Sequence, residues 1–306
     1  MKTTNTNFVL YMLQKSIIQK LDEELFKNQL IDVDMLRLDQ LHPVVSGNKI
    51  FKLKHYLNRA KEEKKTNIVT LGGYHSNHLV ATSCACNQAG LTSVGIVRGE
   101  KPKSFSDTLL NCVEYGMDIK FYPRTQFDAL KKKDLENEFS ASVIIPQGGY
   151  GNLGAKGASE ILTNHNTTPY HYILASCGTG TMAAGLINSS SPKQHLHFFS
   201  ALKNNFSIHN EIKNLLIQPA EKTNYELHFD YHFGGYAKKN TQLFEVMNSF
   251  YEKHKIPTDF VYTGKMVAAF YDLLKTNFFP EKSRILLIHS GGLQGNRSLK
   301  NNELMF

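Results

Sequence analysis

Short apolar runs and amphipathic stretches alternate through most of this chain, and that alternation restricts the fold more than any other feature. Ile31–Leu38, Asn67–Gly73, Thr92–Val97, Asp118–Tyr122, Ala141–Ile145, His171–Ala175, His195–Leu202, Glu226–Tyr231 and Arg284–His289 read as strands. Between them, helical spacing runs from about residue 50 to Lys65 and over Ser76–Ala89, Asp107–Tyr115, Phe127–Phe139, Asn152–Leu162 and Thr179–Asn188. Two further helices, Thr241–His254 and Lys265–Thr276, precede the last strand. Strand–helix alternation predicts α/β layers on largely parallel sheets. There are more such units than one sheet needs, so two α/β lobes are expected. Residues 1–30 are weakly patterned and read as an N-terminal strap or helix, and Asn301–Phe306 as a short tail.

The 306 residues suffice for two medium lobes. The net charge of +8 is scattered. Its small clusters, Lys61–Lys65 and Lys131–Lys133, stand beside acidic residues in helical patterns and read as solvated faces. No basic stripe is interleaved with aromatics, so no nucleic-acid partner is expected. No apolar run is long enough to span a bilayer. Met1–Gln19 lacks a compact apolar core with a cleavage site and is read as neither signal peptide nor anchor. The four cysteines, Cys84, Cys86, Cys112 and Cys177, form no framework; reduced thiols in a cytoplasmic protein fit them.

In open α/β sheets, ligands bind beyond the carboxyl ends of strands, so the strand–helix junctions carry the chemistry. Ser46-Gly47-Asn48-Lys49 runs from a turn into a helix, placing Lys49 in its first turn. The positive end of the helix dipole disfavours an ammonium there and favours the neutral, nucleophilic amine. Ser176-Cys177-Gly178-Thr179-Gly180-Thr181 joins a strand to a helix with small residues and three hydroxyls, the chemistry of a phosphate cradle. Gly178, Gly180 and Ala183 also match a dinucleotide spacing, but no Asp or Glu lies between Met182 and Asn210 to hold a ribose. A single phosphate is therefore favoured over NAD. Leu71-Gly72-Gly73-Tyr74-His75-Ser76-Asn77-His78 places Ser76 and Asn77 at a helix start, where they could cap the helix or hold a ring or carboxylate. His75, His78, Cys84 and Cys86 invite a zinc reading, but residues two apart on a helix diverge by about 200°, and no metal is expected. Pro146–Gly154 is a glycine-dense loop suited to a hinge, and Tyr262-Thr263-Gly264-Lys265 and His289-Ser290-Gly291-Gly292 are further junctions.

Taken in order over residues 43–293, these junctions resemble the 1-aminocyclopropane-1-carboxylate (ACC) deaminase / D-cysteine desulfhydrase family. The resemblance implies a two-lobed, parallel-sheet α/β enzyme of fold type II, tryptophan synthase β-like, with pyridoxal 5'-phosphate (PLP) as cofactor. It implies a large lobe of residues 1–50 plus 156–306, a small lobe of 51–155, and a homodimer. It assigns Lys49 to the covalent link with PLP and Asn77 to the ring's phenolic oxygen. Cys177, Gly178, Thr179, Gly180 and Thr181 hold the phosphate. Ser76 meets the substrate carboxylate or moves a proton, Tyr262 faces the substrate, and Thr263 lies by the pyridine nitrogen with Ser290 nearby. The expected substrate is a small amino acid, D-cysteine ahead of ACC. ACC deaminases resemble this motif with Glu at the position of Thr263, and the desulfhydrases with Thr. Ser46 and Phe51 depart from the family's usual Gly and Arg. An NAD-dependent dehydrogenase and a non-catalytic anion-binding protein are the other classes the residues leave open.

Overall fold

The computed structural model describes residues 16–299 and 303–306. Much of the N-terminal strap expected over residues 1–30 thus lies outside the described residues, as do positions 301–302 of the tail. Among the described residues, ten strands form two sheets. Six of them are β1 (Ile18–Leu21), β2 (Asp32–Arg37), β7 (Tyr172–Cys177), β8 (His195–Ser200), β9 (Tyr225–His228) and β10 (Arg284–His289), in the order β1-β2-β10-β7-β8-β9. All neighbours are parallel except β1 with β2. The remaining four, β3 (Asn67–Gly72), β4 (Thr92–Arg98), β5 (Met117–Tyr122) and β6 (Ser142–Ile145), make an all-parallel sheet ordered β5-β4-β3-β6.

The central strands are near-continuous apolar runs because both of their faces are covered. On the six-stranded sheet, α1 (Glu24–Asn28), α10 (Thr241–His254) and α11 (Thr263–Lys275) bury Phe26, Phe250 and Phe270 with Met35 and Leu287. On its other face lie α2 (Asn48–Glu62), α7 (Asn152–Thr163), α8 (Thr181–Ser189) and α9 (Ile208–Lys213). Their core continues into the four-stranded sheet through Ile68, Val143 and Ile145, so one apolar cluster bridges the two sheets. The four-stranded sheet carries α3 (Asn77–Ala89) and α4 (Asp107–Glu114) near Leu79, Val97 and Cys112. Its opposite face packs α5 (Arg124–Ala129) and α6 (Lys132–Glu138) through Phe127 and Leu135.

Ile18–Leu21, in the stretch expected to be a strap or helix, instead adds a strand antiparallel to β2. Two further elements differ from expectation. The helix expected over Phe127–Phe139 is two helices, broken where Leu130 turns extended (ψ 124°). Asp134 causes the restart: its carboxylate accepts the Lys131 N–H at 3.2 Å and caps the new helix. Helix α9 had no periodic signal in a polar stretch; it forms because Ile208 and Ile212, one turn apart, reach the bridging core. Cys84 and Cys86 are both buried in that core, where burial pushes their thiols up to about 11 and about 12. Among the described residues, no helix is long and apolar enough to cross a membrane.

Candidate active site

A cavity of about 330 Å³ opens beyond the carboxyl ends of β3, β6, β7 and β10, between the two sheets. That is a size and a location suited to a small-molecule ligand.

Its floor is the start of α2. Gly47 sits at φ 65°, and a Cβ there would meet the Ser290 carbonyl oxygen at 1.8 Å. Glycine is required, because the turn before Lys49 presses against the loop after β10. The Asn48 N–H donates to that same carbonyl at 3.1 Å. Lys49 Nζ donates to Asn48 Oδ1 at 2.8 Å. The side chain as a whole is half-buried, but burial around its amine lowers the pKa to about 8, with the Asp259 carboxylate opposing the shift. Burial in the cleft thus lowers this pKa in the same direction as the helix dipole expected from the sequence.

One turn on, Lys52 is buried, and its Nζ donates to the Gly148 carbonyl at 3.3 Å. Burial and then the charge of Lys49 hold its pKa well below the ordinary lysine value. Phe51, in place of the family's arginine, points away from the cleft into the bridging core. His78, near both lysines, is buried, with Nε2 on the Thr70 hydroxyl at 2.9 Å and Nδ1 without a partner. Burial first, then Lys49 and Lys52, keep that ring neutral.

Helix α3 contributes Ser76 and Asn77. Ser76 is the N-cap, accepting the Leu79 N–H at 3.4 Å, and still faces the cavity. Asn77 Nδ2 reaches the Gly292 carbonyl at 3.5 Å. Opposite, β7 ends at Cys177 and turns through Gly178-Thr179-Gly180 into α8, with the Thr179 and Thr181 hydroxyls 3.1 Å apart. The first N–H groups of a helix have no intrahelical acceptor, so this turn is built to take an anion.

The third wall is the start of α11. Asp259, fully buried, accepts the N–H groups of Val261, Tyr262 and Thr263 at 3.0, 2.7 and 2.9 Å. Those three bonds and the helix N-terminus offset the cost of burying its carboxylate. Tyr262 lines the cavity edge-on to Tyr236, at 6.1 Å between ring centres. Burial, then Tyr236, push its phenol well above the ordinary value, so the proton stays on. Thr263 Oγ1 is buried and has no hydrogen-bond partner. At the end of β10, Ser290 Oγ lies 3.2 Å from Ser176 Oγ. His289 behind it receives the Gly291 N–H on Nδ1 at 3.2 Å and donates from Nε2 to the Pro257 carbonyl at 2.7 Å.

Lys49, Ser76, Asn77, Cys177, Gly178, Thr179, Gly180, Tyr262 and Ser290 all line this one cavity. Thr181 and Thr263 are not among the lining residues: both are fully buried, next in the chain to Gly180 and Tyr262, which do line it. Sequence reasoning missed His78, Lys52 and Tyr236. A glycine pair, Gly234-Gly235, precedes Tyr236 and was the available signal. His78 stands in the junction motif after β3, but its partnerless nitrogen left no signal there, because that isolation comes from packing.

The groups fit PLP. A lysine amine with lowered pKa can take an aldehyde, the α8 turn can take a phosphate, and two buried polar atoms, Thr263 Oγ1 and His78 Nδ1, lack the partners a polar ligand supplies. The chain belongs to the pyridoxal-phosphate dependent enzyme family, whose model matches residues 31–291. Within that family it is 28% identical over 282 residues to a Pyrococcus horikoshii protein provisionally named a 1-aminocyclopropane-1-carboxylate deaminase (86% of this chain, 85% of that one). It is 28% identical over 280 residues to the bifunctional D-cysteine desulfhydrase/1-aminocyclopropane-1-carboxylate deaminase of Arabidopsis thaliana (82% and 70%). A solved ACC deaminase homologue shares the fold, with a TM-score of 0.77 at 24% identity over 97% of each chain. Membership in this family removes the dehydrogenase and anion-binder alternatives.

Proposed function

We propose that the chain is a D-cysteine desulfhydrase-like lyase, converting D-cysteine and water to pyruvate, sulfide and ammonia. Thr263 carries the choice. When bound, PLP supplies an electron sink for negative charge at the substrate α-carbon. Thr263 Oγ1 is buried and unpartnered, and would offer the ring nitrogen a neutral hydroxyl. A carboxylate would hold a proton there and deepen the sink; a hydroxyl does not, which favours expelling a β leaving group over opening a three-membered ring. The alternative is ACC deamination to 2-oxobutanoate and ammonia, a name both relatives above carry.

In this reading Lys49 holds the cofactor, and Asn77 donates to its phenolic oxygen. Residues Cys177–Thr181 would hold its phosphate, whose negative charge would favour the protonated form of the cavity-lining Lys52 against the burial that otherwise lowers its pKa. Ser76 orients the substrate carboxylate. Lys49 Nζ or Ser76 Oγ accepts the α-proton, and the protonated phenol of Tyr262 faces the leaving group. Water then converts the released enamine to keto acid and ammonia. Residues 1–50 plus 156–306 form the large lobe, 51–155 the small one, and the enzyme is a cytoplasmic homodimer.

The test is keto-acid and sulfide release from D-cysteine, against 2-oxobutanoate release from ACC, by the purified protein. It should be yellow, with a visible band that borohydride bleaches. Lys49→Ala should lose that band and at least about 10³-fold in kcat. A colourless protein that takes up no PLP overturns the reading; ACC turnover without sulfide from D-cysteine selects the alternative.

A further inference from the structure

On the six-stranded sheet, away from the cavity, three potential metal ligands share one face of two adjacent strands. Strands β8 and β9 pair with His197 opposite Glu226 and Phe199 opposite His228. Side chains alternate along a strand, so His197, Glu226 and His228 all project to the same side. His197 Nδ1 lies 3.0 Å from His228 Nε2 and 3.8 Å from Glu226 Oε2. The three ligand atoms are all within 4.8 Å of one another, and no other such group occurs among the described residues.

Two ligands at about 2.1 Å in a tetrahedral shell stand roughly 3.4 Å apart, a value the observed 3.0 and 3.8 Å bracket. Two imidazoles and a carboxylate, with a fourth position for water, is a set that suits zinc. The rings are held in place before any ion arrives. Tyr172 stacks on His197 at 5.9 Å and Phe278 meets it edge-on at 5.2 Å. Phe199 stacks on His228 at 4.8 Å. The Glu226 side chain is 59% exposed against 6% for His197, so the cluster opens to solvent on the carboxylate side.

We propose that His197, Glu226 and His228 form a zinc-binding site that clamps the edge strand β9 to β8. The clamp would act where the sheet is weakest. Strand β9 has four residues and one neighbour, and seven residues separate it from Tyr236 in the cavity wall. The intervening segment is otherwise tethered by Lys265, whose Nζ donates to the His232 and Gly235 carbonyls, each at 2.7 Å.

The test uses the untagged, PLP-loaded protein, freed of metal with a chelator and titrated with zinc chloride by calorimetry. One zinc per chain and a raised Tm are expected. Glu226→Gln, a change at an exposed position, should weaken zinc binding at least about tenfold, and His228→Gln about 100-fold. Cobalt in place of zinc should give tetrahedral visible bands in the parent that both variants lose. Absence of stoichiometric zinc uptake by the parent overturns the proposal. So does uptake that Glu226→Gln and His228→Gln leave unchanged.

Discussion

At the residue scale, Thr263 has two opposed consequences. A buried hydroxyl without a partner costs about 1–3 kcal/mol. Thr263→Val keeps the shape and removes that cost, so the cofactor-free protein should gain about 1 kcal/mol in denaturant unfolding. With PLP bound, the gain should shrink or reverse, since the variant loses a partner for the ring. Equal gains with and without PLP would mean the hydroxyl does not meet the cofactor. Lys49 and Thr263 could be found in the sequence because each stands in a short motif at a junction. The roles of Asp259, His78 and Tyr236 could not, although His78 ends one junction motif and a glycine pair precedes Tyr236. Their importance lies in a buried carboxylate capping α11, a ring nitrogen without a partner and a ring against Tyr262, all made by contacts across the fold.

At the element scale, α7 holds the helix that carries Lys49 and Lys52. A Cβ at Gly157 would fall 1.9 Å from the Phe51 carbonyl oxygen. Gly157→Ala must therefore push α2 and α7 apart, costing about 2–3 kcal/mol in the denaturation midpoint and weakening PLP retention. A Cβ at Gly73, near the same cavity, would have nothing within 4 Å, so Gly73→Ala should stay within about 0.5 kcal/mol of the parent. Equal costs for the two would refute close packing as the cause. The helices themselves were legible from their periodicity. The break between α5 and α6 was not, because no proline or glycine marks it, and a carboxylate three residues downstream decides it.

At the scale of the whole molecule, Glu23 fastens the segment after β1 to α10 and α11. Its side chain is 7% exposed and accepts from Lys253 at 2.6 Å, His254 at 2.8 Å and Tyr271. Burial alone would raise its pKa, but the bonds from His254, Lys253 and Tyr271 outweigh it and lower the value from 4.5 to about 2. A depressed carboxylate contributes stability that is full above the unfolded value and lost as pH falls through the folded one. The parent should therefore lose Tm between about pH 4.5 and 2 more steeply than Glu23→Gln, which should start lower at neutral pH. Parallel Tm curves over that window would remove Glu23 as the acid-sensitive fastening.

By itself, the sequence determined the succession of strands and helices and the residues at their junctions, because periodicity and turn chemistry are local. It also determined that Lys49 begins a helix and that Gly178–Thr181 opens another. Tertiary structure alone decided that these junctions face one cavity, since strand order brings β3, β6, β7 and β10 together from positions far apart in the chain. It decided that Lys49 is buried in the cleft, which lowers its pKa. It also placed His197 beside Glu226 and His228, which only strand register could do: ligands about thirty residues apart leave no mark in the spacing of a sequence.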